Sequence, residues 1–346
     1  MPFYICIAFF LCILSLCHYD RNTKIIGNKI VFLIAGTFLL LLAGFRYGFE
    51  TDYLSYKHIF MDGGRNYERL FVFLIHFCKQ HIADDYNAFV FLLAFLSISL
   101  KILFFSRLKN PLLALFLYYC LLWLMAETNG IRQGFAISFL LWSLVYVKRR
   151  KVLPFLMLVA VAFFCHSSSL IFLPVYVVCH RPTTIKKVVL FLATATAVRL
   201  FFFGMIISAI EFLFSRFSRY TYLFSAVRGY LSLGTESLVT VGFIRRLSVV
   251  LLFLLLHGHR KIENVYFNTY LLGVCIYILF MGNSVLSIRF AMSFEAALIP
   301  LFADMRFRFT RKNAHLVLLM SILSILLLTT TLLKSNAVPY RTYLFQ

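Results

Sequence analysis

Apolar runs recur from Phe3 to Leu333 at helix-sized intervals, with short basic connectors between them. The runs are continuously apolar rather than alternating, so the pattern predicts membrane-spanning helices and excludes an outer-membrane barrel. About twelve spans are expected, near residues 3–18, 30–45, 86–105, 111–126, 132–147, 152–165, 168–180, 188–208, 241–256, 265–281, 289–304 and 314–333. The first run lacks a basic leader and a small-residue cleavage site, so it reads as a membrane helix, not a signal peptide.

Basic connectors fall at "HYDRNTK", "SRLKN", "KRRK", "RPTTIKK", "HGHRK" and "MRFRFTRK". Placing all six in the cytoplasm gives a consistent alternation with both termini outside. The outward connectors are then 46–85, 127–131, 166–167, 209–240, 282–288 and the tail. Residues 152–180 read either as a single long tilted helix or as a tight hairpin turning at "HSSS", and their two basic flanks favour the hairpin. Its arms, 14 and 13 residues long, reach about 21 Å each. That is less than the roughly 30 Å hydrocarbon core, so His166 is expected to be recessed, facing protein or a wet cavity. Two segments are too polar to span, 67–80 ("YERLFVFLIHFCKQ") and 211–230. Both are expected to lie on the outer surface as amphipathic pieces.

Composition agrees with one integral membrane domain over 1–346: 62% of residues are hydrophobic, 14% charged, and mean hydropathy is +0.89. No soluble domain interrupts it. A net charge of +21 would suggest nucleic acid in a soluble protein. Here it sets topology and meets anionic head groups, so membrane lipids are the expected partner and nucleic acid is not. The eight cysteines show no C-x-x-C or Cys/His metal spacing, which makes them packing residues rather than metal ligands.

The polar residues that topology does not need gather on the outer side. They are Arg46, Glu50, Asp52 and Tyr53; Glu127, Asn129, Arg132 and Gln133; His166 and Ser168; Arg245 and Arg246; and Arg289 with Glu295. Arginine outnumbers lysine there. Charge alone would not select it, but a planar fork that grips phosphate or carboxylate would. Each group also has a plainer reading. Arg46 and Asp52 could pair at a helix end. Asn129, Arg132 and Gln133, at i, i+3 and i+4, could bond a neighbouring helix. His166 could be a satisfied buried histidine, Arg245 and Arg246 interfacial anchors, and Arg289 the structural partner of Glu295.

The blocks "FRYGFETDYLSY", "YERLF", "NGIRQGFAISFLLWSLVYV", "FCHSSSLIFLPVY" and "RFAMSFEAALIPL" resemble, in order, those of the EpsG-like branch of Wzy-type polysaccharide polymerases. The likeness covers about residues 44–301 and rests mainly on the R-x-G…D-Y, N-x-I-R-Q and H-S-S blocks. Related sequences commonly carry E-P-G-[FY] where this one has "ERLF", a departure that leaves Glu68 without an assigned role.

The resemblance implies an all-α, polytopic, GT-C-like fold similar to O-antigen ligases. It implies a glycosyltransferase of the bacterial plasma membrane with its site facing the exterior, outer loops 46–85 and 209–240 contributing. Donor and acceptor would both be oligosaccharides on undecaprenyl pyrophosphate, with no cofactor and a separate chain-length regulator as a possible partner. On that expectation His166 or Asp52, with Glu127 a third candidate, takes the acceptor proton. Arg132 and Arg289 hold the pyrophosphate with help from Arg46, and Asn129 and Gln133 orient the sugars. Tyr53, Ser168, Arg245 and Arg246 complete the substrate-binding candidates. Competing readings are an O-antigen ligase acting on lipid A core, a lipid-linked oligosaccharide flippase, and a membrane acyltransferase using His166. The flippase would favour paired broken helices and an internal repeat, neither of which is visible, and the acyltransferase lacks a donor motif.

Overall fold

A computed structural model describes residues 2–17, 25–48, 52–64, 67–205, 208–209, 212, 240–257, 264–304, 325, 328 and 340–343. The described residues are overwhelmingly helical, without strands beyond one isolated antiparallel bridge between Arg46 and Thr342. Helices α1 (Pro2–Cys17), α2 (Ile25–Gly44), α3 (Tyr53–Met61), α4 (Arg69–His81) and α5 (Tyr86–Phe105) come first. Helix α6 (Pro111–Tyr118) runs on as a π-helix over Tyr119–Asn129 and is followed by α7 (Ile131–Lys148) and α8 (Val152–Cys165). A 3₁₀ turn (Ser167–Phe172), α9 (Pro174–Val178) and α10 (Ile185–Phe201) come next. The series closes with α11 (Val241–His257), α12 (Val265–Leu279), α13 (Ser284–Glu295) and α14 (Leu298–Ala303).

Local chemistry explains the starts. Asp85 caps α5 by accepting from the Ala88 N–H, and Asn264 and Asn283 cap α12 and α13 in the same way. Pro111 opens α6, where a missing N–H costs nothing. The chain leaves α7 through Arg150, whose φ of 54° puts a non-glycine residue in the left-handed region.

Among the described residues, Tyr86–Phe105, Pro111–Asn129 and Val285–Ala303 are long and apolar enough to cross a membrane. Shorter apolar helices, including α1, α8 and α12, accompany them. The chain is an all-helical membrane protein. Two expectations change in detail. The span placed at 111–126 does not end there, because the wide helix carries Glu127, Thr128 and Asn129 onward. The second arm placed at 168–180 is not one helix, since a 3₁₀ turn and a five-residue helix replace it after the break at His166. The 67–80 segment does form an amphipathic helix, burying Phe71, Leu74, Ile75 and Cys78. The 211–230 segment, most of the 209–240 loop, Glu50 and the 314–333 span lie outside the described residues apart from isolated positions.

The chain divides into two compact units. The first contains Met1–Tyr146, Leu153–Leu170 and Leu298–Gln346. Within it α2 packs on α5 and α1 on α6, around a core that includes Trp123, Tyr118, Phe89 and Phe116. The second contains Val147–Val152 and Ile171–Ala297. There α12 lies against α10 and α13, with Phe253 stacked on Phe267 and Phe172 against Phe294.

Candidate active site

In the first unit the residue without a role in the sequence reading occupies the centre. Glu68 precedes α4 and makes no cap bond with its side chain. Its carboxylate instead reaches residues far along the chain. Oε2 accepts from Arg132 Nη1 at 2.6 Å. Oε1 accepts from the Ser167 backbone N–H at 3.0 Å and the Ser167 hydroxyl at 3.2 Å. His166 Nδ1 stands 3.6 Å from the same oxygen. The break after α8 makes this possible, because it frees the Ser167 N–H from helix bonding and turns it toward the carboxylate.

Glu68 is only 8% exposed. Burial by itself would push its pKa up, but the adjacent His166, the Arg132 charge and the Ser167 N–H overcome that effect. The carboxyl is held well below the usual carboxylate range. Arg132 lies among rings, 4.8 Å from the centre of Tyr67 and 5.6 Å from that of Phe71. These aromatic faces favour a guanidinium in a site poor in water. Its Nε is buried, and the Tyr56 ring centre lies 5.7 Å from the guanidinium.

The structure thus brings Arg132 and His166 together through Glu68. Ser167 touches the carboxylate, and Ser168, the substrate-binding candidate, is the next residue of the 3₁₀ turn. Gln133 is buried at the start of α7, whereas Asn129 ends the preceding π-helix on the other side of Gly130. The regular i, i+3, i+4 face assumed for Asn129, Arg132 and Gln133 is therefore interrupted. Glu127 is 3% exposed and pairs with Lys101 at 2.7 Å inside the bundle, so it is not the outward-facing carboxylate expected.

Arg46 is buried, donates from Nη1 to the Ala43 carbonyl at 2.6 Å, and bridges through its backbone to Thr342. Asp52 sits at the N-cap position of α3 without a side-chain cap bond. Tyr53 donates to Asn87 Oδ1 at 3.0 Å. Burial, with Tyr47 beside it, pushes the Tyr53 hydroxyl up to about 12, so it stays a neutral donor at working pH.

The second unit holds a different cluster. Glu295 Oε2 accepts from Arg245 Nη2 at 3.0 Å and Oε1 from Arg246 Nε at 2.5 Å. Arg246 also lies 3.8 Å over the Tyr277 ring, whose hydroxyl meets Thr240 at 2.8 Å. Two guanidinium groups thus face one carboxylate, so these arginines are more than interfacial anchors. The Glu295 oxygens expected for Arg289 are engaged by this pair. Arg289 itself is half-buried on α13.

Sequence reasoning passed over Glu68 and Lys101. The signals were a carboxylate just before an amphipathic helix, and a lone lysine inside the apolar stretch "SISLKILFF". Among the described residues no cluster of His, Cys, Asp and Glu is arranged to hold a metal.

An all-helical membrane protein with a buried carboxylate that gathers an arginine and a histidine is the class these features define. The model of the EpsG family matches residues 29–342, and the chain belongs to that family of Wzy-type polysaccharide polymerase-like proteins. No curated protein and no solved structure matches it.

Proposed function

We propose that the protein polymerises undecaprenyl-pyrophosphate-linked oligosaccharide repeat units on the outer face of the bacterial plasma membrane, within a fold of about twelve spans. Family membership sets the class as polysaccharide biosynthesis in a membrane. The observation that supports the chemistry is the Glu68 carboxylate, ion-paired to Arg132 and set beside His166.

In this reading the acceptor hydroxyl attacks the anomeric carbon of the donor chain. The new glycosidic bond forms as the carbon–oxygen bond to pyrophosphate breaks, and the lipid pyrophosphate leaves with the electron pair. The hydroxyl proton passes to His166 Nε2. Glu68, on the Nδ1 side, stabilises the imidazolium that results, as a carboxylate does behind any catalytic histidine. Arg132 keeps Glu68 ionised and contributes positive charge against the developing anion. His166 is thereby preferred over Asp52 as base, because it has a carboxylate behind it. Glu127 drops out as a base, being committed to Lys101. Asn129, Gln133 and Tyr53 remain the candidates for sugar contacts.

The test is extension of purified lipid-linked repeat units by the full chain in sealed vesicles. Longer glycan on the lipid, lost in His166→Ala and Glu68→Gln variants that still insert, supports the reading. Substrate that crosses the vesicle membrane unaltered points to a flippase, and transfer only onto lipid A core points to a ligase.

A further inference from the structure

Lys101 stands within the apolar helix α5 with a side chain that is 0% exposed. An ammonium there is costly unless every donor is met. Its Nζ lies 2.7 Å from Glu127 Oε1 and 2.8 Å from Ser97 Oγ. It also lies 2.7 Å from Ser138 Oγ and 2.7 Å from the Gly134 carbonyl oxygen. Ser138 in turn donates to the Ser97 carbonyl at 3.0 Å, which aims its lone pairs at the ammonium.

These partners sit on three segments: α5, the π-helix and α7. Glu127 and Gly134 flank Gly130, the residue where the wide helix stops and α7 begins. The two backbones already touch, since a Cβ at Gly134 would run into the Ala126 carbonyl oxygen. Arg132 lies between the two anchored points along the chain, and its guanidinium is the one that holds Glu68.

We infer that Lys101 is a positioning residue: by tying Glu127 to the Gly134 carbonyl it fixes the direction in which Arg132 leaves α7, and so the Arg132–Glu68 ion pair. Simple filling of the bundle interior would not need this group, because apolar side chains of similar volume replace buried ion pairs at little or no cost. A point charge reaching a main-chain carbonyl on one segment and a carboxylate on another sets an angle that apolar packing does not. The activity readout of this inference rests on the polymerase reading above.

The test uses the full chain in lipid nanodiscs carrying Lys101→Met with Glu127→Gln, which removes the pair without stranding a charge. Amide exchange over residues 129–135 is expected to quicken at least about tenfold while residues 265–279 are unchanged. In glycan extension kcat is expected to fall about tenfold with KM within about twofold. In an Arg132→Ala background the same change costs nothing further, because both act through one ion pair. Ser138→Ala, a milder change, shifts both readouts in the same direction by about threefold. Unchanged exchange at 129–135 with unchanged kcat overturns the inference and leaves the polymerase reading standing. So does a loss that adds in full to that of Arg132→Ala. A wild-type chain that extends no glycan, while exchange responds as described, sinks the polymerase reading and upholds the positioning role.

Discussion

Glu68 Oε2 and Arg132 Nη1 meet at 2.6 Å across a separation of 64 positions in the chain. That contact joins the entrance of an amphipathic helix to the first turn of an apolar one. It makes the acidic partner of the N-x-I-R-Q block visible, and it turns an arginine expected to grip substrate into one that also holds a protein carboxylate.

The acidity of Glu68 gives its ion pair a defined pH dependence. Its folded-state value lies below that of the unfolded chain, so the pair contributes stability above the unfolded value and loses it as pH falls through the folded one. The gap in unfolding midpoint between wild type and Glu68→Gln is therefore expected to be flat from about pH 8 to about pH 5 and to close below about pH 4. Thermal melts in detergent across that series check it. A gap that closes toward alkaline pH instead contradicts the assignment.

Arg132→Lys is not a conservative change here. A lysine keeps the charge but loses the planar group that lies among Tyr56, Tyr67 and Phe71 while reaching Glu68. Glycan extension is expected to fall about 10- to 100-fold with insertion intact, a cost of about 1.4–3 kcal/mol at the rate-limiting barrier. Arg132→Ala leaves the buried carboxylate uncompensated and is expected to destabilise the fold by about 3–5 kcal/mol. Quantified ladders and melting curves of the two variants separate the effects.

Gly134→Ala tests the close approach of α7 to the π-helix. The added methyl meets main chain rather than a flexible side-chain tip, so the segments must part. A loss of about 1–3 kcal/mol is expected, read as a lower unfolding midpoint. An unchanged midpoint would show that the two segments move apart freely.

The tail residues hold the segment between α2 and α3. The Tyr47 N–H donates to the Arg341 carbonyl at 2.9 Å, and the Tyr340 hydroxyl to the Leu42 carbonyl at 2.9 Å. Ending the chain before Tyr340 is expected to expose the Tyr47 amide and speed its exchange about tenfold or more, with α12 unaffected. Peptide-resolved exchange in nanodiscs measures it.

Much of the helical plan could be read from the sequence, and the reasons are local. Apolar run lengths, the cap at Asp85 and the proline at position 111 fix the starts of α5 and α6 without long-range information. His166 and Arg132 stood out because polar groups at the rims of apolar runs are costly. Glu68 did not, because its importance lies in partners that only folding brings near, and "ERLF" departs from the family's usual block. Lys101 was hidden inside a span, and Glu127, singled out in what read as a connector, gave no sign of its lysine partner. The π-helix left no trace, since a period of 3.6 was assumed through to residue 126 and a loop after it.

That wide helix constrains how the chain can change length. Each residue of a regular helix turns the next side chain by about 100°. Deleting a single residue between 119 and 126, with the rest of the stretch keeping its wide form, would swing the acidic group at 127 away from its ammonium partner. An indel here would alter the machinery even where no side chain is substituted.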